Sequence, residues 1–263
     1  MPRFSYAGLL HHFRAEGDRR LPAILLLHPV GADMALWDRV ADRLLANAYV
    51  IRPDLRGHGG TDTPAQPFMV DDLAQDAVAL ADTLELDTFT VAGVSLGAMV
   101  ALKLASLMPH RVAGLVTCST APRMAPPPDG WDARIAAAVN GGMAPLADGM
   151  VARMFSTDFI ASKDPYIATM RTVFEYTDPI GYGHGLRVLR DADLWPDLPS
   201  ITCPVLVVAG ARDPLIGKDI AERLASSLPR GELLTLDCGH FPPVEAPDAV
   251  SSALLGLVRR TPS

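Results

Sequence analysis

The sequence predicts an α/β protein built on a mostly parallel central sheet flanked by helices, with a helical insertion late in the chain. Three observations predict it. From Ala23 to Thr120 short apolar runs alternate with amphipathic segments, the pattern of a parallel sheet covered on both faces. Over residues 122–195 no strong strand run appears and helical periodicity dominates. Strand–helix alternation then resumes at ITCPVLVVAG and lasts to the final helical run. The expected organisation is a core of residues 1–121 and 196–263 with a helical cap, 122–195, between its halves.

Residues 3–17 read as a hairpin, FSYAG followed by LLHHFRAEG. AILLLH comes next and stops at Pro29 and Gly31; a short apolar run ended by turn residues is how a buried parallel strand reads. MALWDRVADRLLA carries Leu36, Trp37, Val40, Leu44 and Leu45 at helical spacing. YVIRPDL is a second buried strand and ends in the turn-rich RGHGGTDTP. Val70 to Leu84 forms an amphipathic helix, DTFTVAGV a strand that breaks at Ser95, LGAMVALKLASLMP a helix that ends before Pro109, and RVAGLVTCST a strand. Pro126 to Pro128 mark the break into the insertion, where WDARIAAAV and PLADGMVARMF are helical. ITCPVLVVAG, KDIAERLASSL, ELLTLD and APDAVSSALLGLV complete the order strand, helix, strand, helix.

Composition narrows the function classes. With 263 residues, 49% of them hydrophobic and 20% charged, the chain has the make-up of a folded globular protein. A net charge of −7 repels phosphate backbones, which disfavours nucleic acid as a partner. The first apolar run is far shorter than the roughly 20 residues of a membrane span. No charged head and small-residue cleavage site mark a secretory leader, so the expectation is a soluble cytoplasmic protein whose partners are small molecules. Cys118, Cys203 and Cys238 form no Cys-x-x-Cys pair, and all three sit in or beside apolar runs, as small buried hydrophobes do.

The strongest chemical signal is Gly93-Val94-Ser95-Leu96-Gly97, a Gly-x-Ser-x-Gly turn between a strand and a helix. Such a turn holds its serine in a strained backbone conformation that lifts the hydroxyl above the sheet, and its flanks must be small where strand and helix pass. A serine hydroxyl needs a neighbouring base, and the base an orienting acid. The chain order Ser, acid, His is met by Asp213, which follows PVLVVAG, and by His240, which follows ELLTLD. Asp219 and Asp237 are weaker candidates for the acid and read better as surface charges. An oxyanion hole needs two backbone N–H donors. Leu96, after the nucleophile, supplies one; in His28-Pro29-Val30-Gly31, Pro29 has no N–H, so Val30 is the second candidate, against the plainer reading of HPVG as a strand-ending turn. DLRGHGGTD gathers Asp54, His58 and Asp62 but lacks metal-ligand spacing; a structural turn held by Asp54 and Arg56 is the better reading. No dinucleotide or Walker fingerprint occurs, and no cofactor or metal is expected.

Taken together, HPVGAD, DLRGHGGTD, GVSLGA, GARDPL and CGHFPPVEAP resemble the α/β-hydrolase superfamily over nearly the whole chain. The insertion, with WDARIAAAVNGGM, RMFSTDF and PIGYGHGLRVLRDADL, resembles the cap of 3-oxoadipate enol-lactonases; Trp131, Arg134, Gly181, Tyr182 and Arg190 to Asp193 occupy the corresponding positions. HPVG and the tail after His240 depart from many members of that family. The resemblance implies hydrolysis of an enol-lactone to 3-oxoadipate in aromatic catabolism, through a Ser95–His240–Asp213 acyl-enzyme route. Such a substrate carries a carboxylate, which an arginine suits best. Of Arg123, Arg134, Arg153, Arg171, Arg187 and Arg190 in the cap, Arg134 beside Trp131 is the expected substrate contact, against the alternatives of a solvated helix arginine and plain cap packing. Alternatives on the same triad are a carboxylesterase, a carbon–carbon bond hydrolase, an acyltransferase or a cofactor-free perhydrolase; an intact Ser, Asp and His disfavour a non-catalytic binding module.

Overall fold

The computed structural model describes residues 2–260. The chain enters by an antiparallel hairpin, β1 (Arg3–Tyr6) and β2 (Leu9–Glu16). Six strands follow: β3 (Ala23–Leu27), β4 (Tyr49–Pro53), β5 (Phe89–Val94), β6 (Val112–Cys118), β7 (Val205–Gly210) and β8 (Gly231–Leu236). They join the hairpin in one eight-stranded sheet ordered β1-β2-β4-β3-β5-β6-β7-β8. Every pairing from β4 to β8 is parallel, and β2 joins β4 antiparallel.

The apolar runs were continuous because both faces of these strands are covered. In β3 all five residues are buried. Leu25 and Leu27 pack into the core on one face, Ile24 and Leu26 into the core on the other, as the period of two requires. Helices α1 (Asp38–Leu44), α2 (Val70–Thr83) and α3 (Leu96–Leu107) make the crossovers between the first parallel strands. The final strand pair carries α9 (Lys218–Ser227), the short α10 (Pro242–Glu245) and α11 (Pro247–Arg260).

Five helices lie between β6 and β7: α4 (Trp131–Gly141), α5 (Ala147–Met154), α6 (Thr157–Ser162), α7 (Pro165–Tyr176) and α8 (Pro179–Asp191). Three of their starts are capped by side chains that accept a backbone N–H, Ser156 from Phe159, Asp164 from Tyr166 and Asp178 from Ile180, with Pro165 and Pro179 at the first positions of α7 and α8. The turn after β4 is knotted by Asp54, which accepts the Met34 and Gly60 N–H groups at 2.9 and 2.8 Å and pairs with His12 at 2.6 Å. Arg56 reaches instead to Asp76 on α2, at 2.8 Å. All three cysteines are buried thiols. Among the described residues no helix is long and apolar enough to cross a membrane.

Candidate active site

The parallel strands deliver their C-terminal ends to one edge of the sheet, the edge at which open α/β folds bind ligands. The loops after β3, β5, β7 and β8 carry Val30, Ser95, Asp213 and His240. Ser95 sits at φ 51° and ψ −112°, a left-handed conformation that costs a residue with a β-carbon on the order of 1–3 kcal/mol. Its flanking glycines are forced by close approach. A Cβ on Gly93 would run into the backbone of Gly97 and Ala98, and one on Gly97 into the carbonyl oxygens of Leu27 and His28.

Asp213 and His240 meet at 2.8 Å, Oδ2 to Nδ1, with almost no side-chain surface exposed on either. The other carboxylate oxygen of Asp213 accepts the N–H groups of Leu215 and Ile216, at 2.8 and 3.2 Å. Burial alone would raise the Asp213 pKa; the charge and hydrogen bond of His240 and the two backbone donors outweigh it and hold the group below the usual carboxylate value. The bond to Asp213 occupies His240 Nδ1 and leaves Nε2 free. Ser95 and His240 line the same cavity, of about 260 Å³, without a hydrogen bond between them. Asp237, weighed as an alternative acid, pairs with Arg212 on the surface.

In the loop after β3 the Gly31 N–H donates to His58 Nε2 at 3.0 Å and the Ala32 N–H to the Pro29 carbonyl at 3.3 Å. With Pro29 lacking a donor, the Val30 N–H is the one in this loop with no acceptor among the described residues. Val30 lines the cavity; Leu96 does not, being buried at the first position of α3 directly after Ser95.

The inserted helices form the far wall. Trp131, Arg134 and Tyr182 line the cavity, and so does Arg153, which the sequence did not separate from the other arginines. Arg171 is held by Asp148 and Glu175, and Arg190 by Asp132 and Asp191, so neither is free for a ligand. Arg134 has one distant partner, Asp129 at 3.5 Å. Arg153 has none among the described residues, and its buried Nε makes no hydrogen bond. Burial and the neighbouring Arg134 guanidinium pull its pKa below the ordinary arginine value. Two guanidinium groups thus face a cavity otherwise walled by side chains such as Met124, Phe174 and Leu189.

Residues 22–247 match the family of the alpha/beta hydrolase fold, and the chain belongs to that family. Over 249 residues it is 28% identical to 3-oxoadipate enol-lactonase 2 of Acinetobacter baylyi, covering 95% of this chain and 93% of the other. It is 33% identical over 254 residues to the pimeloyl-acyl-carrier-protein methyl ester esterase of Aromatoleum aromaticum, covering 90% of this chain and 98% of that one. The solved structure of the enol-lactonase from Burkholderia xenovorans LB400 superposes with a TM-score of 0.94 at 30% identity, over 98% of this chain and all of the other. The chain is an enzyme of the class these relatives represent, a hydrolase of ester bonds.

Proposed function

We propose that this enzyme opens a small lactone that carries a carboxylate, 3-oxoadipate enol-lactone, and releases 3-oxoadipate. The observation that carries the proposal is a single cavity lined by Ser95 and His240 and also by Arg134, whose one acidic partner stands 3.5 Å away, and Arg153, which has none among the described residues. Ser95 Oγ attacks the lactone carbonyl while His240 Nε2 takes its proton, and Asp213 stabilises the imidazolium. The N–H groups of Val30 and Leu96 hold the oxyanion. Collapse breaks the ring C–O bond, the enol oxygen leaves with the proton from His240, and the enol ketonises, which draws the step forward. Water, deprotonated by His240, then attacks the acyl-serine; the proton returns to Ser95 and the dicarboxylate leaves.

Arg134 and Arg153 bind the carboxylate of the substrate, and Trp131 packs against its ring. An acidic protein needs such a local cation, and a guanidinium matches the planar carboxylate. The insertion 122–195 acts as a cap that closes water out of the site. On this reading the enzyme is cytoplasmic and serves the breakdown of aromatic compounds. A second reading, a carboxylesterase for acids of longer chain, draws support from the methionine, leucine and phenylalanine wall and from the 33% identical esterase.

The deciding assay compares the enol-lactone with 4-nitrophenyl acetate, for wild type and Ser95→Ala. A kcat/KM far higher for the lactone, with both activities lost in Ser95→Ala, is the expected result. Turnover of the ester alone favours the second reading, and activity surviving in Ser95→Ala sinks both.

A further inference from the structure

Helix α8 carries glycines at 181, 183 and 185 within thirteen residues. Glycine is the poorest helix former after proline, so three in one helix need a reason. Two of them have one in close approach to the core. A Cβ at Gly181 would strike the backbone of Gly57. A Cβ at Gly185 would stand 2.7 Å from Val30 Cγ2, 3.5 Å from Leu96 Cδ2 and 3.6 Å from His58 Cε1. Those three residues are the two oxyanion candidates and the side chain that takes the Gly31 N–H.

The loop is pinned from the core side as well. His58 is 2% exposed; its Nδ1 donates to the Arg56 carbonyl at 2.9 Å, which leaves Nε2 to accept from Gly31. His28, fully buried beside it, donates from Nδ1 to the Pro29 carbonyl and accepts the Leu55 N–H, both at 2.8 Å. Each imidazole is locked in one tautomer by its neighbours. His58 consumes the Gly31 donor, so the Val30 donor alone is available to the site, and α8 sets how far the Val30 side chain can move.

We propose that Gly185 and His58 are positioning residues for the second oxyanion donor. His58 pins the loop from below, and the missing side chain at 185 lets α8 close directly on Val30, so that the cap helix and the oxyanion hole form one rigid unit. The inference rests on the reading of Val30 and Leu96 as oxyanion donors. It goes beyond that reading in making a cap helix part of the transition-state machinery, which means α8 stays seated while substrate enters past other cap helices. A misplacement of about 1 Å costs on the order of 100-fold, and loss of an oxyanion donor about 100- to 1,000-fold.

The test is Gly185→Ala made in the natural chain and in a Val30→Ala chain, with kcat for 4-nitrophenyl acetate and the affinity of phenylboronic acid, which forms a tetrahedral adduct with the active serine, measured for each. With Val30 present the added methyl group lowers kcat at least about 30-fold, leaves KM within about threefold, and weakens boronate binding in parallel. In the Val30→Ala chain, where the methyl it would meet is gone, the same change lowers kcat less than about threefold. Equal losses in the two chains, no loss with Val30 present, or a kcat loss without weakened boronate binding overturns the proposal. If Gly185→Ala does not fold, His58 decides. His58→Phe, which deletes the acceptor, is expected to lower kcat at least about 30-fold, and His58→Gln, whose amide oxygen reaches the same N–H, to keep it within about fivefold. Full activity in His58→Phe, or equal loss in both, overturns it. Ser95→Ala separates the failures: if it stays active the reading of the site is lost, and if it is dead while the other variants match wild type only the positioning is.

Discussion

At the scale of the residue, burial and hydrogen-bond partners compete to set protonation, and the balance differs between Asp213 and His58. Asp213 is held below the usual carboxylate pKa by His240 and two backbone N–H groups, so it stays ionised wherever the enzyme works. Asp213→Asn keeps the shape and removes the charge; kcat for either substrate is expected to fall by about 10⁴, against about 10⁶ for Ser95→Ala, read in steady-state assays. His58 shows the opposite balance. Burial, and then the neighbouring His28, push its pKa down to about 3 from an ordinary 6.5. A folded pKa below the unfolded one means the neutral form is favoured by folding. That stability is complete above pH 6.5 and is lost as pH falls from there towards 3, at about 1.4 kcal/mol per pH unit. Urea unfolding between pH 7 and 4.5 is expected to show a falling midpoint, and the fall is shallower in His58→Gln. Burial lowers the pKa values of His28 and His11 too, so a residual slope persists. A midpoint independent of pH in wild type would refute this account.

Elements place these residues through backbone contact more than through side-chain packing. Strand β5 and helix α3 cross so closely at Ser95 that Gly93 and Gly97 touch backbone atoms with no freedom to shift. Gly97→Ala pushes directly on the end of β3 and the start of the Val30 loop. Its expected cost is about 3 kcal/mol in urea unfolding, at the upper end of overpacking, together with a loss of kcat. A variant of unchanged stability would mean that the strand and helix can part. The His240 loop is tied to the insertion in the same way. The His240 N–H donates to the Met154 carbonyl at 2.9 Å, and Glu245 accepts the N–H groups of Gly239 and Ser156 at 3.1 and 3.0 Å. The end of α5 therefore holds the His240 loop, while α8 packs on Val30 at Gly185.

Across the whole molecule the charge is arranged against the average. The chain carries −7, yet its cavity is lined by two arginines, one with no acidic partner among the described residues. An uncompensated, partly buried cation destabilises a fold, and such strain is tolerated where it serves a ligand. Arg153→Met is therefore expected to raise stability by about 1 kcal/mol in thermal unfolding while it raises KM for the enol-lactone about 10- to 100-fold. The KM for a neutral ester should change much less. A variant less stable than wild type, with lactone KM unchanged, would assign Arg153 to cap packing alone.

The sequence by itself determined the strands, the crossovers and the chain order of Ser95, Asp213 and His240. Periodicity of two or 3.6 and the turn residues that end each run are local properties, and the order of functional loops follows from the order of strands. The helical character of 122–195 was legible for the same reason, while the divisions between α5 and α6 and between α6 and α7 were not drawn, although Ser156 marks the first and the Asp164-Pro165 pair the second. Only the tertiary structure decided which of six cap arginines face the cavity, because Arg171 and Arg190 are claimed by carboxylates on other turns and helices, and Arg153 is not. Only it showed where the Gly31 N–H goes and why α8 is rich in glycine. Those answers depend on which helix face meets which loop, and a contact between residues 30 and 185 leaves no trace in the spacing of either.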